Sequence, residues 1–202
     1  MNHDLELLRS RYDGYQPDLM DARFSFAVLC PLVEKEDGLH VLYEVRAATI
    51  RQAGETCFPG GRTEPGETPI ECALRETEEE LAIPRSEITI LGQSDFISNV
   101  KGFLLRPVLA LISRKGYENM KPSPAEVATT FTVPVEFFRN NEPVVYEAPV
   151  APVMPEGFPY DAVGIPTNYR LMSGKAILPV WYYEGHAIWG MTARITRDVF
   201  CK

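Results

Sequence analysis

Cysteine is scarce in this 202-residue chain, with Cys30, Cys57, Cys72 and Cys201 making up the whole complement. They show neither CxxC spacing nor the density of a disulfide-stapled domain, so they read as reduced thiols and predict a cytoplasmic protein. Basic charge is also short. Twenty Lys and Arg face 28 Asp and Glu, for a net charge of −8 with no basic run, which argues against nucleic acid or an anionic membrane as partner. No apolar run approaches the roughly 18 residues of a membrane span. Met1-Asn2-His3-Asp4 is polar and acidic where a secretion signal would be basic and then apolar, and Val199-Phe200-Cys201-Lys202 is no peroxisomal address. Internal repeats and a GxxxxGK[ST] loop are absent, which leaves a solenoid or a P-loop enzyme without support.

What is present is an apolar fraction of 45%, ample for one core, so a single domain over 1–202 is expected. Residues 1–22 read as a helical extension and 140–175 as a proline-rich insertion. The negative charge is concentrated. Between Gly61 and Glu87 eight glutamates face three arginines, a net of −5.

That segment predicts one well-delimited helix. Thr68 suits the cap, Pro69 the first position and Glu71 the third, a capping box, and Pro84 stops the helix near Ala82 or Ile83. At about 100° per residue Ile70, Ala73, Leu74, Thr77 and Leu81 form a packing stripe, while Glu76, Glu79 and Glu80 share an arc roughly 120° away. Glu71 and Glu78 point elsewhere. Like charges at i,i+3 and i,i+4 repel, so the arc either stays solvated or holds a cation. Carboxylate oxygens suit Mg²⁺ or Mn²⁺. Cys72, one turn before Glu76, is a soft donor and reads as a small packing residue.

Gly61, Glu67, Arg75-Glu76 and Glu79-Glu80 stand at the spacing of the Nudix box, and the chain resembles that superfamily. Thr77 replaces the usual aliphatic and Ala82 the usual glycine. Upstream, Arg46, Gly54 and Phe58-Pro59-Gly60-Gly61 are similar to the segment before the box in the coenzyme A pyrophosphatase branch, with Ile50 at the place of its second arginine and Arg51 following. Pro124-Ala125-Glu126-Val127, Val133-Pro134 and Ile188-Trp189-Gly190-Met191-Thr192-Ala193-Arg194 look like that branch's later blocks. The proline of the ADP-ribose branch is missing, with Ser98 in its place, and so is the tyrosine of dinucleoside polyphosphate hydrolases.

The resemblance implies an α+β fold, an α/β/α sandwich with a mixed sheet. It implies a metal-dependent hydrolase of nucleoside diphosphates linked to another group, most specifically coenzyme A or its derivatives. Glu76, Glu79, Glu80 and the Gly60 carbonyl would hold Mg²⁺ or Mn²⁺, and Glu79 or Glu126 would take a proton from water. Arg46 and Arg51 would bind substrate phosphate or simply be solvated. Gly61, Glu67 and Arg75 would shape the box, the last two as an ion pair pinning loop to helix. A small-molecule nucleotide is the implied partner; a homodimer is compatible with the sequence, which does not set the oligomeric state. A noncatalytic module of this fold is the alternative, but such modules usually lose a box glutamate and none is lost here.

Elsewhere, Leu5, Leu7 and Leu8 predict a short helix across the core, ending near Asp13-Gly14. Phe24–Val33 and Leu39–Arg46 form a hairpin, with His40 at the surface. Ile88–Gly92, Leu104–Ile112 and Val127–Val133 read as strands, Pro107 implying an edge or bulge, and Ser94–Gly102 and Ser113–Pro124 as loops. Val135–Phe138 reads as a helical turn. Six prolines between Pro143 and Pro166 predict an ordered excursion beside the active site. Ala176–Tyr183 and His186–Trp189 form a hairpin turning at Glu184-Gly185, and Met191, Ile195 and Val199 mark a final helix. His186 reads as packed or exposed, and Trp181, Tyr182 and Trp189 as core or pocket wall.

Overall fold

A computed structural model describes residues 3–15, 18–20, 22–99 and 101–201; Met1, Asn2 and Lys202, on which the two terminal readings partly rest, lie outside these. In chain order the elements are α1 (His3–Tyr12), β1 (Phe24–Lys35), β2 (Gly38–Arg46), β3 (Thr56–Cys57), β4 (Gly60–Arg62), α2 (Pro69–Leu81), β5 (Ile88–Gln93), β6 (Ile97–Asn99) and β7 (Phe103–Ile112). There follow α3 (Arg114–Glu118), β8 (Val127–Pro134), α4 (Val135–Asn140), β9 (Val144–Val150), α5 (Tyr160–Val163), β10 (Gly174–Tyr183), β11 (His186–Trp189) and α6 (Gly190–Phe200).

The main sheet runs β3-β2-β1-β7-β5, with β4 on β1, β6 on β7 and β8 on β2. It is mixed, because β1 and β7 run parallel from Phe24↔Phe103 to Val33↔Ile112 while the other pairs are antiparallel. Strand alternation sends Ala27, Leu29 and Val33 to a core under α2, with Leu42, Ala73 and Leu81. Cys30 and Leu32 go to the opposite core, with Tyr43, Phe138, Ile188 and Ile195 beneath α4 and α6. Both faces are covered, which explains the nearly continuous apolar run of β1. The second sheet, β11-β10-β9, is antiparallel and continues into α6.

Helix α2 begins as its sequence predicts, with both halves of the capping box made. Its buried residues are Cys72, Ala73, Thr77, Glu80 and Leu81, a face turned roughly 50° toward the glutamates from the apolar stripe. Thr77 Oγ1 donates back to the Ala73 carbonyl at 2.7 Å, so the hydroxyl is satisfied inside the core. The helix ends at Ala82 in the left-handed region, at φ 54°.

Several expectations are corrected. α1 buries nothing: Leu5 and Leu8 share one side and Leu7 lies well round the helix from Leu5, too little for a packing stripe, and all three are exposed. His40 is buried, its Nε2 bonded to Asp37 across the β1–β2 turn at 2.9 Å. Pro107 lies in an interior strand. It sits where pairing of β7 passes from β5 to β6, and its carbonyl faces that gap by accepting from Ser94 N–H, so the missing amide hydrogen interrupts no ladder. The two supposed loops contain β6 and α3. The proline-rich segment forms β9 and α5, and Tyr182 is exposed on β10.

Replacing Ala82 by glycine relieves the left-handed strain, about 1–2 kcal/mol, less the extra unfolded-chain entropy of glycine. Urea denaturation is expected to show Ala82→Gly more stable by between about 0.5 and 1 kcal/mol, with m unchanged.

Candidate active site

The site forms where the Phe58–Gly61 loop meets α2. Phe58 is buried and stacks on Tyr43, with ring centroids 4.9 Å apart. The Pro59 carbonyl accepts from Leu29 N–H at 2.8 Å, and Gly60 and Gly61 pair with β1 at Val28 and Ala27. A methyl on Gly60 would strike the Ala27 carbonyl and Val28; on Gly61 it would strike the Glu76 carboxylate. Gly60 thus lets the loop lie close on β1, and Gly61 lets the Glu76 carboxylate of α2 approach the backbone.

Glu80 is buried and accepts from Gly60 N–H at 2.8 Å. Burial raises its pKa, and the negative charges of Glu76 and Glu126 raise it further, against the opposing hydrogen bond from Gly60. Burial also raises Glu76, which Arg75 partly offsets. Arg75 holds Glu67 in a two-pronged grip, Nε to Oε1 at 2.9 Å and Nη2 to Oε2 at 3.1 Å. Its Nη1 reaches Glu76 at 2.8 Å and Glu79 at 3.2 Å, and its Nη2 the Arg62 carbonyl at 3.2 Å. Glu79 stands 58% exposed while Glu76 is 15% exposed, so the arc divides into an inner and an outer part. Glu78 turns away to Arg85, 2.7 Å from its Nη2.

Glu126 comes to this cluster from outside the box. Ser123 N–H donates to the Glu80 carbonyl at 2.7 Å and Ala47 N–H to the Glu126 carbonyl at 2.8 Å, which clamps the turn before β8 between α2 and the end of β2. Arg46 lines a groove of about 460 Å³ together with Gly60, Gly61, Trp189, Met191 and Thr192. Its Nε donates to the Arg51 carbonyl at 2.9 Å; Arg51 itself is exposed and does not line the groove. Among the groove's lining residues none comes from 140–175, so the proline-rich segment does not pack beside the site. Its strand β9 is instead occupied with β10.

One member escaped the sequence reading. Glu44 is 1% exposed in β2, and Glu80 and Glu126 are among the charges acting on it. Its signal was a lone carboxylate inside the apolar run Val41-Leu42-Tyr43-Glu44-Val45.

Among the described residues no three His, Cys, Asp or Glu side chains stand as a ready-made ligand set. The chemistry nevertheless fits a hard divalent cation: every donor is oxygen, the inner carboxylates are desolvated beside one another, and Glu44 Oε1 is buried without a partner. Positive charge is what the cluster needs.

The grip of Arg75 lowers the Glu67 pKa to about 2. A carboxylate depressed in the folded state stabilises above its ordinary pKa of 4.5, and that contribution fades as pH falls toward about 2. Glu67→Gln is therefore expected to lower stability most above about pH 4.5, the two urea midpoints converging at lower pH.

Comparison with known proteins agrees with this geometry. The model of the NUDIX domain matches residues 23–149. The protein called Uncharacterized Nudix hydrolase NudL in Cronobacter sakazakii is 30% identical over 205 residues, covering 96% of this chain and 92% of its own. Nudix hydrolase 3 of Caenorhabditis elegans is 38% identical over 119 residues, covering 57% of this chain and 50% of that longer protein. The crystal structure of RenU, a Nudix hydrolase from M. smegmatis, superposes with a TM-score of 0.50 at 22% identity, over 58% of this chain and 74% of that one, a likeness of fold. Nudix hydrolases generally need a divalent metal and act on small nucleotides. The chain belongs to the Nudix family and is a pyrophosphohydrolase of that family.

Proposed function

We propose that this hydrolase cleaves the diphosphate bridge of coenzyme A or its derivatives, giving 3′,5′-ADP and 4′-phosphopantetheine. The observation that carries the chemistry is the meeting of Glu76, Glu80 and Glu126 at the Gly60-Gly61 loop. Support for the substrate comes from two distant sequence blocks. Arg46 with Phe58, Gly60 and Gly61, and Trp189 to Thr192, line one groove.

Glu76, Glu80 and the loop backbone at Gly60 would hold Mg²⁺ or Mn²⁺, with Glu79 at the exposed margin. Such an ion neutralises the diphosphate and acidifies water. Gly60 N–H holds one Glu80 oxygen, which aims the carboxylate. Arg75 keeps Glu76 and Glu79 from repelling each other. Arg46 presents its guanidinium to substrate phosphate, and Trp189, 42% exposed, offers a flat apolar wall. Glu126 takes the proton of the attacking water. It is favoured over Glu79 because its charge acts on both Glu76 and Glu80, whereas Glu79 is tied to Arg75.

Incubation with coenzyme A, NADH, ADP-ribose and diadenosine compounds, with Mg²⁺ or Mn²⁺, is expected to release 3′,5′-ADP from coenzyme A at the highest kcat/KM. A higher value on another member of the panel would reassign the substrate and leave the hydrolase in place. Glu126→Gln should lower kcat by about 10²–10⁴. Glu80→Gln should abolish turnover, and Glu78→Gln, on the far face, should leave it intact. Equal loss in both box variants would count against the inner-face assignment.

A further inference from the structure

We propose that Glu44 is an additional oxygen ligand of the divalent cation, supplied by the sheet beneath α2 to the carboxylates that the box provides. The inference rests on the cation site of the preceding section and extends it to a residue outside the Nudix box.

Strand alternation sets the direction of this side chain. Leu42 packs into the core under α2 and Tyr43 into the opposite one, so Glu44, two residues after Leu42, faces the box helix. There Glu80 and Glu126 act on it. Its neighbours do not account for it. Cys57, its register partner on β3, brings Sγ within 3.9 Å of Oε2, a weak contact, and Oε1 has no partner. Arg46, the nearby cation, directs Nε to the Arg51 carbonyl and Nη1 toward Cys57 Sγ at 4.0 Å.

A carboxyl group 1% exposed with one oxygen unsatisfied opposes folding, and an apolar residue like those on either side of it would pack there without that penalty. The cost is recovered if the free oxygen meets a cation. A cation between Glu44 and Glu80 also removes the repulsion between two buried carboxylates, the pattern expected of hard-ion sites that gather oxygen donors from separate segments. A purely structural glutamate would instead have both oxygens satisfied by protein groups.

The test reads metal binding, not turnover. With the full chain and no substrate, Mn²⁺ is titrated and free ion followed by electron paramagnetic resonance. Glu44→Gln keeps shape and removes charge. It is expected to weaken Mn²⁺ binding by at least about 10-fold, the least that losing even an outer-shell partner of a metal site costs, and to shrink the Mn²⁺-induced rise in Tm. The metal-free Tm should stay level or rise. Mn²⁺ affinity within twofold of wild type overturns the proposal.

Glu80→Gln is titrated in parallel. Weakening there with none in Glu44→Gln rejects the role of Glu44 alone; no weakening in either rejects the cation site itself. Should Glu44→Gln fail to fold, Glu44→Asp retains the charge and shortens the reach. Reduced Mn²⁺ affinity in that variant supports the assignment, and wild-type affinity overturns it.

Discussion

The fork of Arg75 is the contact on which the arrangement of the site depends. Helix α2 places Glu76 and Glu79 on one flank, and the incoming loop adds Glu67, so three negative charges crowd a short stretch of backbone. One guanidinium answers all three and also takes the Arg62 carbonyl beside β4. At 22% exposure for Arg75 and 12% for Glu67, solvent screens this pair less than an ion pair on the open surface. A planar fork meeting both carboxylate oxygens also fixes orientation, which a lysine in the same place would not. Loop and helix are thereby locked as one piece.

On that base, three segments far apart in the chain bring acids to one place. Glu80 comes from the helix, Glu126 from the turn before β8, and Glu44 from the middle of β2. Backbone bonds hold them there: Gly60 N–H to Glu80, Ser123 N–H to the Glu80 carbonyl, and Ala47 N–H to the Glu126 carbonyl. The cores on both faces of the sheet keep β1 and β2 fixed beneath the loop. Helix, strand and a backbone-clamped turn carry these carboxyl groups, so the fold itself holds them in place. The exposed α1, and the second sheet with its exposed β9, add nothing to this cluster among the described residues.

Much of the architecture could be read from the residues. The α2 boundaries followed from Thr68, Pro69, Glu71 and Pro84, because capping and proline geometry act within a few bonds. The β1–β2 hairpin followed from two apolar runs joined by the charged turn at Glu34–Gly38, and the final α6 from a four-residue recurrence. Where packing decides, spacing misleads. The leucines of α1 suggest a core contact, but only Leu5 and Leu8 share a side and the helix buries nothing. An isolated His40 suggests the surface, yet the turn closes over it through Asp37. The prolines of 143–166 suggest a wall beside the site, although β9 finds its partner in β10.

The sequence by itself determined where the box helix starts and stops and which glutamates share an arc, since these depend on local dihedrals and on a period of 3.6 residues. Only the tertiary structure decided which of those acids are dry. The rotation of α2 toward its glutamates buries Glu80 and leaves Glu79 in solvent, and the closing of β2 and the Ser123–Glu126 turn around that helix brings Glu44 and Glu126 to it. Desolvation and the mutual repulsion of carboxylates depend on distance through space and not along the chain, so no reading of spacing alone can supply them.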